Sequence, residues 1–459
     1  KKQNMKQIIL LILTLALVAT GCQNEKQDSN VTSLEVYADS LFQASIDSSQ
    51  IAGAAILVFQ KETMLLNKSY GYASLELSTP MPSDGIFDIG SVTKQITAAA
   101  ILKLVEANKL SLDDDFTEYI PFDTKGRKVT IAQLLDHTSG IEADMGEGVE
   151  FYRMNTNQGL PHNAIAKMWK PKDFMFEPGE ALIYNSFAYV FLGLIIEKVT
   201  GQSYEDYLKE TFFKPLGMNS TSYGSHIEVT KNKVNGYRYN SLGLQQKNYL
   251  NYNLLFSAGA LSSTAQDLLI WMKALHQGKI LSAASYQSMI TPTQLNDGST
   301  TQHAKGLVNY ADFGNDKIGH TGGFSGFVTD TRYYPEEDLY IICLVNTRGG
   351  PKNGDSFTDP ITWQLLDKKI PENIDLDIET ALLDGLYTGP TYDNYKDSIQ
   401  VKSIVGGIII QKLKSDKIDT LKTYIGNNTW ADGNNRIVIK NNEYREIQPY
   451  AYYILKKEN

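Results

Sequence analysis

Ser91 and Lys94 stand three residues apart in Gly90-Ser91-Val92-Thr93-Lys94, just ahead of the alanine-rich apolar run Gln95 to Leu104. That run has the periodicity of a buried helix, with the serine in its first turn. Residues three apart share a helix face, so the hydroxyl and the amine can meet. Helix starts also present unpaired backbone N–H groups. A hydroxyl, a nearby amine and backbone donors are the parts of an activated nucleophile with an oxyanion site. Taken alone, the tetrapeptide reads as an ordinary helix cap followed by an exposed lysine. It gains weight only from its neighbours in the chain.

Three further motifs follow. One is Leu134-Leu135-Asp136-His137-Thr138-Ser139-Gly140. The next is Pro178-Gly179-Glu180, then Tyr184-Asn185-Ser186. The last is Gly319-His320-Thr321-Gly322-Gly323-Phe324-Ser325-Gly326. His137 invites a Ser-His-Asp reading, but its turn has the composition of a helix end. No Gly-x-Ser-x-Gly elbow occurs in the chain, so an α/β-hydrolase reading lacks its nucleophile. The six histidines are scattered without metal-ligand spacing, and there is no Gly-rich phosphate loop. No metal and no cofactor is expected.

The elements that must position these motifs can be read coarsely. Helices are expected over 33–49, 187–199, 204–213 and 264–276, with Ser263 or Thr264 capping the last. Short helices are expected over 131–136 and 361–366. Ile51 to Phe59 and Thr63 to Tyr70 read as a hairpin, and Phe327 to Tyr334 and Leu339 to Asn346 as another. Residues 219–253 read as loop. Strands at both ends with helices between imply an antiparallel sheet built from the two ends and a helical insertion. From 385 onward the texture becomes β-branched and aromatic, broken by Gly and Asn pairs. Strands are expected there at 399–405, 408–413, 436–440 and 443–447, a small all-β domain without a catalytic constellation.

In their order and spacing the four motifs resemble the serine β-lactamase and penicillin-binding-protein superfamily. The resemblance covers roughly residues 33–370. It looks most like the class C β-lactamase-related branch, with its family VIII-type esterases and D-amino-acid-specific peptidases. It implies Ser91 as nucleophile, Lys94 and Tyr184 as a coupled base, and the Ser91 and Gly323 N–H groups as oxyanion donors. A phenol beside a cation loses its proton more readily and so becomes a usable base. The branch carries asparagine two residues after the tyrosine, where this chain has Ser186. Either Ser186 or Asn185 takes that part. β-Lactamases carry lysine where His320 stands, and a neutral imidazole offers a substrate carboxylate less than an ammonium would. An esterase or peptidase therefore stands ahead of a true β-lactamase. The reading from another class is a non-catalytic envelope protein that binds peptidoglycan fragments or a partner.

Composition sets the outer bounds. The 459 residues are 42% hydrophobic and 21% charged, with a net charge of −9. No Lys/Arg-rich run follows the N-terminus, so nucleic acid is not an expected partner. Lys1, Lys2 and Lys6 precede the apolar run Ile8 to Val18, and then Ala19-Thr20-Gly21-Cys22. This reads as a lipoprotein signal peptide over 1–21, lipidation of Cys22, and a polar tether over 22–32. The mature protein would sit on a bacterial membrane with its hydrolase domain, 33–370, on the non-cytoplasmic side. A C-terminal β domain over 375–459 would follow. Cys343, in the apolar run Ile341 to Val345, is expected in the core.

Overall fold

The computed structural model of the chain describes residues 33–144, 155, 170–370, 372–376, 378–391, 397–415 and 417–458. Cys22 and the expected tether lie outside the described residues. So do residues 145–154 and 156–169.

Leu339–Val345 is buried at every position and runs through the middle of a seven-stranded antiparallel sheet. It pairs with Phe327–Tyr334 on one side and with Gly53–Gln60 on the other. Side chains alternate between the faces of a strand, so an unbroken apolar run requires cover on both. Tyr340, Ile342 and Leu344 belong to one core, and Ile341, Cys343 and Val345 to the other. The second core is closed by the helix over 33–47 through Ala38 and Phe42, and by Asp355–Leu365 through Phe357. Phe42 stacks between Tyr70 and Phe357, at centroid distances of 4.6 and 4.5 Å. Truncating such an aromatic to alanine costs about 3–5 kcal/mol.

The larger core lies on the other face, beneath Ala265–His276 and the helical insertion. Thr93–Glu106 is buried along most of its length, and its alanines let Ser186–Thr200 pack closely. Its polar side chains find partners. Thr97 Oγ1 lies 2.7 Å from the Tyr204 hydroxyl, and Gln95 Oε1 accepts from Trp271 Nε1 at 2.9 Å. Thr264 caps Ala265–His276 by accepting from the Asp267 N–H.

The C-terminal residues form a barrel-like antiparallel sheet around Trp430, Tyr424, Tyr444 and Tyr387. Its ten strands include one from earlier in the chain: Leu182–Ile183 pairs with Ala451–Lys457. Two expectations need correction. Residues 219–253 contain the hairpin Tyr237–Asn240 and Gly243–Gln246. Its polar residues, such as Arg238 bonded to Gln245 at 2.8 Å, hide the apolar alternation that reveals a strand. The helix expected at 361–366 begins earlier, at Asp355, and runs through Pro360. Proline ordinarily breaks a helix interior, which is why the sequence pattern stopped there.

Candidate active site

The turn that carries Ser91 follows Asp88. Its buried carboxylate accepts from Ser262 Oγ at 2.7 Å and from the Tyr252 hydroxyl at 2.9 Å, and pairs with Lys233 and Lys247. The chain then leaves the strand Phe87–Asp88 and turns at Gly90, whose φ is +54°. A 3₁₀ turn, Gly90–Val92, carries Ser91, and the α-helix starts only at Thr93. Ser91 is thus not the N-cap, and its hydroxyl is left available. Strand Asn315–Phe324 crosses this turn at close range. A Cβ on Gly322 would fall 2.0 Å from the Ile89 carbonyl oxygen and 3.3 Å from the Ser91 nitrogen. Only glycine lets the two backbones approach this closely.

Lys94 is fully buried and meets three oxygens. Its Nζ lies 3.2 Å from Ser91 Oγ, 3.4 Å from Ser186 Oγ and 2.6 Å from the Ala258 carbonyl oxygen. It also lies 4.8 Å from the centroid of the Tyr184 ring. Burial pushes its pKa well below that of a free lysine. Asn185, by contrast, faces away from the amine. Its Oδ1 caps helix Ser186–Thr200 at the Phe187 N–H, 2.8 Å away, and its Nδ2 donates to the Ile141 carbonyl. Of the two residues left open by the sequence, Ser186 is the one beside Lys94.

Three of the six histidines converge on Tyr184, although nothing in their sequence spacing shows it. His137, His320 and His303 rings lie 4.4, 5.8 and 6.2 Å from the tyrosine ring. Their tautomers follow from their partners. His137 Nδ1 accepts from the Asn185 N–H at 3.0 Å, so its proton sits on Nε2. His303 Nδ1 donates to the Pro449 carbonyl at 3.0 Å and His320 Nδ1 to the Thr321 carbonyl at 2.5 Å, which leaves each Nε2 bare. Burial holds the pKa of all three below the ordinary imidazole value, with neighbouring cations adding to the effect. The resemblance set His320 where β-lactamases carry a lysine toward the substrate carboxylate. The histidine is only 2% exposed and faces inward; its neighbour Thr321 is the exposed one. His320 is therefore a neutral group of the interior.

Sequence reasoning missed several groups here. The Ala258 carbonyl, at the end of the 3₁₀ helix Phe256–Ala258, and His303 both come from far along the chain. Arg348 is exposed beside Gly323: a Cβ on that glycine would lie 3.0 Å from the guanidinium carbon. Tyr450, from the C-terminal sheet, reaches the same strand, and its hydroxyl accepts from the Thr321 N–H at 3.0 Å. The arrangement offers a serine hydroxyl, a buried amine in contact with it, and backbone N–H groups of two elements close by. It can support acyl transfer.

Comparison with known proteins agrees. The family model described as Beta-lactamase matches residues 38–359. Penicillin-binding protein 4* of Bacillus subtilis (strain 168) is 29% identical over 329 residues, covering 68% of this chain and 71% of that protein. Protein flp of Staphylococcus aureus (strain MRSA252) is 29% identical over 318 residues, 67% of this chain but only 62% of the relative's own length. Among solved structures, the octameric penicillin-binding protein homologue from Pyrococcus abyssi aligns with a TM-score of 0.61 at 25% identity, over 92% of this chain and 99% of that one. D-amino acid amidase from Ochrobactrum anthropi SV3, complexed with D-phenylalanine, aligns with a TM-score of 0.62 at 21% identity, over 72% and 98%. At that identity the last likeness is one of fold.

Proposed function

The chain belongs to the beta-lactamase family, and from that premise we propose that it hydrolyses an ester, or an amide next to a D-amino acid, through an acyl group carried on Ser91. The observation that carries this reading is the 3.2 Å contact between the buried Lys94 amine and Ser91 Oγ. In the reaction, neutral Lys94 takes the hydroxyl proton as Ser91 Oγ bonds to the substrate carbonyl carbon. The electron pair displaced to oxygen is held by the Ser91 and Gly323 N–H groups. Collapse breaks the bond to the leaving group, which receives the proton through Lys94 and Tyr184. Water then attacks the acyl ester with the same groups acting in reverse. The D-amino acid amidase shares the fold, which supports amides beside D-centres as one substrate class.

A fluorophosphonate probe tests the nucleophile. It should label the native protein and not Ser91→Ala. Ser91 contributes no side-chain cap to the helix, so the variant should keep its fold. Equal labelling, or unchanged ester hydrolysis, would overturn the assignment. From the separate Ala19-Thr20-Gly21-Cys22 sequence we also propose that the protein is held at the cell envelope by lipid on Cys22. Mass spectrometry of the mature protein tests this: an unmodified N-terminus at another residue would exclude the anchor. Among the described residues, no helix is long and apolar enough to cross a membrane.

A further inference from the structure

The turn at Pro449 and Tyr450 is tied to the hydrolase region on three sides. Ala451 pairs with Ile183, and the Tyr184 N–H donates to the Tyr450 carbonyl at 3.2 Å. His303 holds the Pro449 carbonyl. These ties aim the Tyr450 ring among Tyr184, His320 and His303, at centroid distances of 5.5, 5.3 and 5.9 Å. The hydroxyl ends on Thr321, 3.0 Å from its nitrogen and 2.8 Å from its Oγ1.

That position matters because of strand geometry. Asn315–Phe324 pairs with Val308–Asp312 only as far as Gly319. Beyond it, among the described residues, this edge has no strand partner. The His320 N–H points to Thr331 on the opposite neighbour. Alternation then turns the N–H groups of Thr321 and Gly323 toward the unpaired edge. Gly323 is the oxyanion donor in the mechanism above. Thr321 is the equivalent donor two residues earlier, about 7 Å along the strand. A substrate lying along this edge, as an added strand would, sets its reacting carbonyl at Gly323 and its next acceptor at Thr321.

We propose that Tyr450 is a specificity-determining residue whose hydroxyl occupies the Thr321 edge position and so selects against substrates with a carboxylate or peptide carbonyl about 7 Å from the scissile carbonyl. This rests on the acyl-enzyme reading above. The C-terminal sheet thereby becomes a wall of the active site. A substrate acceptor must displace a hydroxyl that already meets two Thr321 atoms, whereas a simple ester gives up nothing there. Behind Tyr450 and Thr321 lies a cavity of about 200 Å³, lined also by Lys317, Asp330 and Arg332. Removing the ring would join the cleft to that space.

The experiment uses the full chain and three esters: nitrophenyl acetate, 4-acetoxybutyrate with its carboxylate in the leaving group, and nitrophenyl adipate monoester with its carboxylate in the acyl group, both carboxylates standing five bonds from the scissile carbonyl carbon. The readout is kcat/KM for each carboxylate ester divided by that for the acetate. Tyr450→Phe keeps the ring and frees the Thr321 donors. Tyr450→Ala also opens the cavity and serves if the first substitution is silent. At least one ratio should rise about tenfold or more in at least one variant, mainly through KM, as expected for a hydrogen bond to a charged group. Ratios that stay within about twofold, or fall, in both variants while Ser91 is still acylated overturn the proposal. Failure of all three proteins to acylate Ser91 with any ester overturns the active-site reading itself, and the proposal with it.

Discussion

Lys94 Nζ touches Ser91 Oγ at 3.2 Å while the Ala258 carbonyl holds the same nitrogen at 2.6 Å. A carbonyl oxygen can only accept, so it takes one of the amine's hydrogens. Ser186 Oγ, at 3.4 Å, can take a second. A neutral amine then has its lone pair left for the Ser91 proton, which is the geometry of a base.

Lys94 therefore predicts opposite effects on rate and stability. Burial lowers its pKa, so kcat/KM should rise with pH and level off well below about 10.4, where a free lysine titrates. Between those two values the unfolded chain binds more protons than the folded one, so stability rises with pH and falls as pH drops toward the folded value. Lys94→Met should abolish turnover and raise stability at pH 7 by about 0.5–2 kcal/mol, the usual scale when a functional group is replaced. Thermal unfolding at pH 7 and above about 10.4 checks this, because the gain should vanish at the higher pH. A less stable variant at pH 7 would mean that the amine's hydrogen bonds outweigh its burial.

The division of labour around the amine is testable residue by residue. Tyr184→Phe should lower kcat/KM by about a hundredfold or more, the scale of a lost general base. A loss under tenfold would leave Lys94 as the sole base. Ser186→Ala should cost roughly tenfold, about one hydrogen bond to a charged or reacting group. Asn185→Ala should instead cost about 1 kcal/mol of stability, as a helix cap does. Kinetics and denaturation on the three variants separate these roles.

What the sequence could show follows the range of each contact. Ser91 and Lys94 are three residues apart, and helical periodicity alone brings them together. Leu339–Val345 announces a strand covered on both faces because its apolar run is unbroken. Gly322 and Gly323 signal a close backbone approach. The Tyr450 contact with Thr321 spans 129 residues of chain. It depends on Leu182–Ile183 joining the C-terminal sheet, and a two-residue strand carries no periodicity to detect. Likewise, nothing in the sequence singles out His303, whose place is set by the Pro449 carbonyl 146 residues along the chain. The inward face of His320 is set by register, which a one-residue shift would reverse.

His276 should make the fold sensitive to acid. It is half-buried and stacked on Tyr333 at 4.2 Å, with Nδ1 2.9 Å from the Tyr286 hydroxyl, and loss of solvation pushes its pKa down to about 3. The unfolded histidine titrates near ~6.5. Within that window the unfolded chain holds more protons, so stability falls as pH drops, by up to about 1.4 kcal/mol per pH unit for this one group. His303, pushed down to about 4, adds in the same direction. His276→Phe should flatten the slope of unfolding free energy against pH between about 4 and 6.5. Denaturant titrations at three pH values measure it, and an unchanged slope would show that the fold does not hold His276 neutral.

The last prediction concerns substrate class. A carboxylate-bearing β-lactam needs a cation or free donors beside the oxyanion site. His320 stands where a lysine would serve, but it is buried and its pKa is held well below the ordinary value by burial and by His303 and Lys94. Protonating it near pH 6.5 is therefore not expected, and carboxylate affinity should not strengthen as pH falls through that value. Thr321 already holds the Tyr450 hydroxyl. The exposed Arg348 guanidinium remains beside Gly323, but one of its nitrogens already donates to the Phe324 carbonyl at 3.3 Å. Short-chain nitrophenyl esters should consequently be turned over better than a chromogenic cephalosporin. Measuring kcat/KM for both between pH 5.5 and 8 decides the matter. Cephalosporin turnover at or above about 10⁴ M⁻¹s⁻¹ with poor ester hydrolysis would reverse the order and make the protein a β-lactamase. A rise in cephalosporin affinity centred near pH ~6.5, the free-imidazole value, would show that His320 is charged in the site after all.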